Sequence, residues 1–305
     1  MTNSVLSTQH SALSKPALSE TPFQRGLGRF RRDRIAMTAF CFLVVLFVIA
    51  ITFLVLRAAD ISWPFNPNDP QLAQKLRPPS SQHWLGTDNL GRDVLSRMLH
   101  GTYISLTVGF LAVSVSITIG ITVGAISGYF GGWVDNVTMR VVDAIMCFPD
   151  FFLILTVIAL LGPSIWNVII VIGLVSWTGT ARLVRAEFLS LREMEYVRAV
   201  RALGQRDWLI IFRHVLPNAL APVYVTAVLG VAGAIMTEAG LSFLGFGVQP
   251  PQASWGNIIA DGKTYILDAW WLILFPGLAI FVTTLAFYLT GEGLRQAFEQ
   301  KEGKG

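Results

Sequence analysis

The residues Gly262-Lys263-Thr264 are the part of this 305-residue chain most similar to a nucleotide-binding motif. A phosphate-binding loop of the form G-x-x-x-x-G-K-[ST] needs another glycine at position 257, which is Asn257. Gly256 lies one residue too far from the lysine. The sequence therefore predicts an ordinary polar loop here and no site for ATP.

Histidine and cysteine form no pattern that would support catalysis or metal binding. Neither H-E-x-x-H nor G-x-S-x-G occurs in the sequence. Cys41 and Cys147 stand alone in apolar segments, where we expect small core residues. The four histidines are scattered outside the apolar segments: His10, His83, His100 and His214. We expect a chain that is not an enzyme and binds neither metal nor cofactor.

Two acidic residues, Asp150 and Glu238, lie clearly inside long apolar segments, where a charge costs about 2.5–3.5 kcal/mol at the helix centre and is usually functional. Asp150 lies about ten residues into its segment, near mid-membrane, and follows Pro149, which frees a backbone carbonyl. Asp150 is either a lining residue of a translocation path or a buried, hydrogen-bonded acid. Glu238, near the outer end of its segment, is the second candidate for the translocation path and is expected to face an aqueous vestibule or the interface.

The elements that carry these residues are long apolar segments. Hydrophobic residues make up 53% of the chain and charged residues 14%, against about 25% charged in an ordinary soluble domain. This charge deficit argues against a soluble enzyme and against a disordered chain. A spanning helix needs about 20 mainly apolar residues. Six segments meet or nearly meet that length: 36–56, 103–126, 141–161, 165–181, 219–246 and 270–289.

These spans are predicted to be helices, because the runs are continuously apolar and barrel strands would alternate. The fold class is an all-α polytopic membrane protein with six transmembrane helices. The first span, 36–56, lies too far from the N-terminus and is too long for a signal peptide, so we expect it to be retained. Residues 1–22, rich in Ser, Thr and Pro, predict a disordered cytoplasmic tail.

The distribution of lysine and arginine orients the six spans. Seventeen of the 23 basic residues fall on the side of the two termini, and six fall on the other side. Because basic residues are enriched in cytoplasmic loops, both termini are predicted to be cytoplasmic. The connection between the fourth and fifth spans alone holds seven arginines: Arg182, Arg185, Arg192, Arg198, Arg201, Arg206 and Arg213.

Three glycines recur every four residues in and just beyond the second span, at Gly120, Gly124 and Gly128. A stripe of small residues at this spacing lets two helices approach closely. The neighbouring helix could belong to another subunit or to this chain, and the sequence favours neither.

The arginine-rich connection has the pattern of two short helices. A helix is predicted over 194–203, and Gly204 ends it. A second amphipathic stretch, 208–215, leads to Pro217 at the start of the fifth span. The segment is too long and too regular for a simple loop.

Tyr196, Val197 and Val200 share one face of the first of these helices. Such a helix needs something to pack on, either the membrane surface or a partner protein. The aromatic Tyr196 and the glycine between the two helices, Gly204, favour packing in a socket on a partner protein over packing on a lipid surface.

This connection resembles the cytoplasmic coupling loop of ABC-importer permeases, whose general motif is E-A-A-x3-G-x9-I-x-L-P. Ala199, Gly204, Leu216 and Pro217 match that motif at the right spacing. The segment YVRAVRALG…RHVLPN resembles the corresponding segment of C-type chains in the dipeptide/oligopeptide (and nickel) permease family. Three positions depart from the general motif: Arg198, Val200 and His214.

The resemblance extends from about residue 25 to residue 298. The C-terminal end departs at Tyr288, Glu292, Gln296 and Glu299, which concerns the subfamily and substrate more than the family. Four further segments resemble the family in order: LGTDNLGRDVLSRMLHGTYISLTVG at 85–109, GYFGGWVDNVTMRVVD at 128–143, LSFLGFGVQPPQASWG at 241–256 and AWWLILFPGLAI at 269–280.

The resemblance implies a type I importer fold in the bacterial inner (cytoplasmic) membrane and a permease for di- or oligopeptides. It implies partners as well: a second homologous permease chain, an extracytoplasmic substrate-binding protein and two cytoplasmic ATPase subunits that use ATP and Mg²⁺. Nickel, glutathione or another small solute is the alternative substrate. The coupling residues it implies are Glu195, Tyr196, Val197, Arg198, Ala199, Val200, Arg201, Ala202, Leu203, Gly204, Leu216 and Pro217.

The predicted organisation has four parts: the tail 1–22; the region 23–102 with the first span and an outer loop; the five-helix core 103–298 with the coupling loop 182–217; and the tail 299–305. An ion-coupled secondary transporter is the remote alternative. That class shows internal repeats and intramembrane ionisable groups, but here only Asp150 and Glu238 lie clearly inside spans and no repeat is evident.

Overall fold

The computed structural model describes residues 22–59 and 66–298, where the regular secondary structure is helical apart from one isolated bridge between Thr87 and Asp93. The predicted tail 299–305, and the predicted tail 1–22 except Pro22, lie outside the described residues. The α-helices are α1 (Pro22–Arg32), α2 (Arg34–Ala58), α3 (Val94–Phe130), α4 (Gly132–Met146), α5 (Asp150–Leu161), α6 (Ile165–Leu191), α7 (Glu195–Ala202), α8 (Asp207–Ile210), α9 (Leu216–Phe243), α10 (Trp255–Gly262) and α11 (Trp271–Phe298).

Five helical segments in the described ranges are long and apolar enough to cross a membrane, and a bent helix pair, which is either a broken span or a re-entrant loop, is the candidate for the sixth. The predicted span 141–161 is that pair: α4 and α5 meet at an angle of 81°. Pro149 lies at the bend, where it lacks a donor N–H and disfavours helix in the residue before it. The five straight segments are Arg34–Leu56, Val94–Phe130, Ile165–Leu191, Asp207–Phe243 and Trp271–Phe298.

The second span is longer than its apolar run predicts, because α3 begins nine residues before the predicted start at residue 103. The Asp93 side chain accepts hydrogen bonds from the backbone N–H (2.8 Å) and hydroxyl (3.0 Å) of Ser96 and so caps the helix. The first turns of α3 are polar yet buried, with Arg97 and His100 almost inaccessible. Polar partners outside the helix therefore allow its extension.

An ion cluster fixes the outer loop to α3 and α10. The buried Asp88 carboxylate accepts from Arg92 Nε at 2.6 Å and from the Arg97 guanidinium. Arg97 also donates to Asp261 of α10 at 3.0 Å. Burial of Asp88 opposes its ionisation, but Arg97 and Arg92 outweigh that effect and hold the pKa of Asp88 below its usual value.

The glycine stripe packs inside this chain, against α6. A Cβ on Gly124 would lie 2.5 Å from the Ala181 carbonyl oxygen. On Gly120 and Gly128 the Cβ would lie 2.6 Å from the Cβ atoms of Thr180 and Phe188. The open question of which helix faces this stripe is therefore answered in favour of α6.

The expectation that the two cysteines are core residues is wrong. Cys41 in α2 and Cys147 at the α4–α5 bend are both exposed. An apolar segment of a membrane protein turns much of its apolar surface toward lipid, so an apolar neighbourhood in sequence does not require burial.

The first prediction concerns the α3–α6 contact. Gly124→Ala should destabilise the chain by about 1–3 kcal/mol, because the added methyl group must displace the α6 backbone. Thermal unfolding in detergent, followed by tryptophan fluorescence, measures the change. Gly179→Ala in α6 is the matched control, since its Cβ would have no neighbour within 4 Å. Equal unfolding temperatures for the two variants would contradict the packing account.

Candidate functional site

The helix α7 is attached to the rest of the chain by one face. Val197 is fully buried and Val200 partly buried, in an apolar cluster with Phe188 of α6 and Ile210 of α8. The sequence placed Tyr196 on the same face, but its side chain is exposed. The buried stripe is centred between Val197 and Val200, and Tyr196 lies at its edge.

The opposite face of α7 is open. Leu203, at the C-terminal end of the helix, is 87% exposed and is the most accessible apolar side chain of this loop. The predicted coupling residues that are exposed here are Glu195, Tyr196, Arg198, Ala199, Arg201, Ala202, Leu203, Gly204 and Pro217, whereas Leu216 is partly buried. The site thus presents apolar, small and basic side chains together.

Gly204 ends α7 in a left-handed conformation, with φ of +77°. Its N–H donates to the Arg201 carbonyl at 3.0 Å, and the Gln205 N–H donates to the Val200 carbonyl at 3.4 Å. This is the Schellman pattern of hydrogen bonds at a helix end. A Cβ at Gly204 would have no neighbour within 4 Å, so the backbone conformation is what favours glycine here.

A second attachment joins the coupling loop to the end of α3. The Tyr129 hydroxyl donates to the Asp207 carboxylate at 2.6 Å, and the Arg201 guanidinium lies 5.2 Å from the centre of the Tyr129 ring. Arg192 donates to the Gly128 carbonyl at 2.9 Å. Sequence reasoning missed this contact, since no local pattern connects Tyr129 with a residue 78 positions later.

The loop continues directly into the fifth span. Asp207–Phe243 forms one helical segment in which α8 passes through a π-helical turn, Ile211–Val215, into α9. Pro217 lies in the first turn of α9, where the sequence placed the start of the span. The end of the loop is therefore continuous in helix with a membrane-spanning segment.

A partly open cavity of about 250 Å³ lies between α3, α5, α6 and α9. Asp150 lines it, but not from the middle of a straight span: it is the first residue of α5, directly after the bend. The prediction that Asp150 lies ten residues into a continuous helix is therefore wrong. The other polar lining residues are hydroxyl-bearing: Ser116, Ser176, Thr180, Thr226 and Thr237.

Glu238 faces protein, so the expectation of an aqueous vestibule or interface is wrong. Its side chain is fully buried and accepts from the hydroxyl groups of Ser242 at 2.6 Å and Ser105 at 3.3 Å. It is absent from the residues that line the cavity described above. Ser105 belongs to α3, so this carboxyl group bridges α3 and α9.

The residues Gly262-Lys263-Thr264 occur at the end of α10 and in the 3-10 helix that follows, Lys263–Tyr265. The Lys263 ammonium group lies 5.6 Å from the centre of the Phe243 ring. A phosphate-binding loop would connect a strand to a helix, so its geometry differs from this segment. Within residues 22–59 and 66–298, no cluster of three or more His, Cys, Asp or Glu could hold a metal ion.

Comparison with known proteins decides the family. The model of the binding-protein-dependent transport system inner membrane component matches residues 120–304, more than half of the chain. The chain belongs to this family. The model of the N-terminal transmembrane domain of oligopeptide transport permease C matches residues 21–79. The predicted family and the predicted inner-membrane location are confirmed.

Curated relatives extend over most of the chain. A dipeptide transport system permease of Alkalihalophilus pseudofirmus is 38% identical over 92% of this chain and 90% of its own length. A glutathione transport system permease of Pectobacterium atrosepticum is 40% identical over 92% of each. The protein is therefore a permease subunit of an ABC importer and belongs to a class of subunits that are not themselves enzymes.

Solved structures of ABC transporters share the fold. The inward-facing MetNI methionine transporter gives a TM-score of 0.53 at 18% identity, covering 67% of this chain and 97% of that one. An amino acid ABC transporter with histidines gives a TM-score of 0.51 at 16% identity, covering 67% and 95%. At these identities the similarity shows the fold, which confirms the type I importer architecture.

The second prediction concerns the end of α7. Gly204→Val should raise the hydrogen-exchange rates of α7 amides about tenfold, because a left-handed residue costs about 1–2 kcal/mol with a β-branched side chain. Mass spectrometry of peptides from residues 195–205 measures the rates. Gly204→Asn, which tolerates this conformation, is the control and should stay close to the unmodified chain. Equal rates for the two variants would show that φ at Gly204 does not hold α7 in place.

Proposed function

We propose that this chain forms half of the translocation path of an importer for di- or oligopeptides. A second, homologous permease supplies the other half, and an extracytoplasmic binding protein delivers the substrate. The peptide substrate is supported by the dipeptide permease relative and by the match to an oligopeptide permease domain. Nickel, glutathione or another small solute is the alternative, and a glutathione permease relative favours glutathione among these.

Energy for transport comes, in this proposal, from two cytoplasmic ATPase subunits that bind and hydrolyse ATP with Mg²⁺. The chain itself binds no cofactor. The observation that carries the coupling proposal is the division of α7 into a buried and an open face. The buried face fixes α7 to the spans, and the open face is free for a groove on an ATPase.

The chemistry of the open face suits a protein groove. Leu203 supplies an apolar anchor, and Ala199 and Ala202 are small enough for close approach of a partner helix or loop. Arg198 is already paired with Glu193 at 2.7 Å, and Arg201 lies over the Tyr129 ring. The arginines therefore stabilise the loop, and the apolar residues provide the contact.

The cavity is the proposed wall of the translocation path. Its lining of serine, threonine and one carboxylate can exchange hydrogen bonds with peptide groups. Asp150 can pair transiently with the ammonium group at a peptide N-terminus. A single carboxylate surrounded by hydroxyl groups gives weak, reversible binding, which transport requires.

The third prediction tests coupling. Leu203→Glu should reduce the amount of ATPase that co-purifies with the permease at least tenfold, since the loss of a central apolar anchor costs about 2 kcal/mol or more. Leu267→Glu is the matched control: Leu267 is 93% exposed in the connection before α11, on the opposite side of the membrane. Equal co-purification of both variants would refute the α7 docking site.

The fourth prediction tests the cavity. Asp150→Asn should raise the KM for uptake of a dipeptide about tenfold and leave uptake of its N-acetylated form unchanged, because a charge-assisted hydrogen bond contributes about 1.5–3 kcal/mol. Transport into proteoliposomes measures both. Asp143→Asn is the matched control, because its carboxylate is paired with Arg182 and does not line the cavity. Uptake of both substrates by this variant should match that of the unmodified chain. Unchanged dipeptide uptake by Asp150→Asn would count against the assignment.

A further inference from the structure

The first described helix ends in a cluster of arginines to which the proposed function assigns no role. Arg29, Arg31 and Arg32 lie in the last turn of α1, Arg34 begins α2, and all four side chains are exposed. Within residues 22–59 and 66–298, none of the four forms an ion pair with a carboxylate. Four positive charges therefore stand close together without partners in the described chain.

The nearest acidic residue has another role. Asp33 is the one acidic residue in the sequence between Glu20 and Asp60. Its carboxylate accepts from the backbone N–H groups of Ile35 at 2.9 Å and Ala36 at 3.1 Å, at the N-terminus of α2. Because the Asp33 carboxylate caps α2, its charge is directed at the free backbone N–H groups of that helix and not at the arginines.

The opposite side of α1 is anchored in protein. Phe30 is 5% exposed and packs in a cluster with Ala36 of α2 and Ala297 of α11. The junction is tight: a Cβ on Gly293 would lie 2.3 Å from the Ala36 Cβ and 3.3 Å from the Phe30 ring. The anchor holds α1 in one pose, in which Arg29 and Arg32 share a face three residues apart.

The cluster lies where the apolar span begins. Ile35, the residue after Arg34, is 64% exposed, and α2 is the least buried of the five long spans. In a membrane this surface faces lipid, so the arginines next to it lie at the level of the headgroups. Their side chains are long enough to reach phosphate from helix ends.

We propose that Arg29, Arg31, Arg32 and Arg34 form a binding site for the phosphate headgroups of anionic phospholipids in the cytoplasmic leaflet. Guanidinium groups bind phosphate oxygens with two parallel hydrogen bonds, and basic clusters beside a span are attracted to an anionic surface.

An ATPase is the less suitable occupant of this site. The helix α1 contacts α2 and α11, whereas α7 packs on the ends of α3, α6, α8 and α9. The arginines therefore belong to the lipid-facing rim of the chain, and the open face of α7 lies on other elements.

The test compares lipid binding by two variants of the full purified chain. The variant Arg29→Gln/Arg32→Gln removes two charges from the site, and Arg206→Gln/Arg213→Gln removes two exposed charges from the coupling loop. Native mass spectrometry in detergent measures binding of phosphatidylglycerol, with phosphatidylcholine as the neutral lipid. We expect about thirtyfold weaker phosphatidylglycerol binding in the first variant and little change in the second. Because salt screens the charges, the difference between the first variant and the unmodified chain should be smaller at high salt.

Three results would overturn the proposal: equal losses in the two variants, no loss in the first variant, or displacement of phosphatidylglycerol by an equal concentration of inorganic phosphate. Arg29→Lys/Arg32→Lys keeps the charges and should keep most of the affinity. Circular dichroism confirms that each variant is folded. Should the glutamine variant not fold, the salt dependence of the unmodified chain decides: phosphatidylglycerol binding that is insensitive to salt contradicts the site.

Discussion

The close approach of α3 and α6 is the constraint on which the rest of the structure depends. In a bilayer, the lipid tails are as apolar as the helix surfaces, so helices associate through tight packing and hydrogen bonds. Gly120, Gly124 and Gly128 remove side chains from α3 at a spacing that admits the α6 backbone and the side chains of Thr180 and Phe188. The cavity lies beside this pair, and the coupling loop begins where the pair ends.

The same pair connects the cytoplasmic loop to the cavity. At its cytoplasmic end, Arg192 donates to the Gly128 carbonyl, and Tyr129 holds Asp207. Val197 inserts into the apolar cluster between these helices. A force applied to α7 therefore acts on α3, α6 and α9 together, which suits a rigid-body switch between two arrangements of the spans.

Local features of this chain could be predicted from the sequence, and long-range ones could not. The spans follow from uncharged length, and the end of α7 follows from Gly204, because each is set by neighbouring residues. The apolar run 141–161 continues through Pro149, so composition alone did not reveal the bend that brings Asp150 to the cavity. The buried carboxyl group of Glu238 accepts a hydrogen bond from Ser105, 133 residues earlier, and the Tyr129–Asp207 contact spans 78 residues. Such contacts depend on how α3 packs against distant parts of the chain, and the neighbouring residues in the sequence do not indicate that packing.

From these contacts we infer that α7 moves as one body with α3 when the proposed ATPase subunits drive transport, and this is the central claim. Electron spin resonance distances between labels at Met194, directly before α7, and at Ile126 test it most directly once the exposed Cys41 and Cys147 are replaced by serine; both labelled positions are exposed, and neither belongs to the open face of α7. In the assembled transporter, the distance within this chain should stay the same with and without ATP, while the distance from Met194 to a label on the second permease changes. A change of the Met194–Ile126 distance on adding ATP would contradict the account.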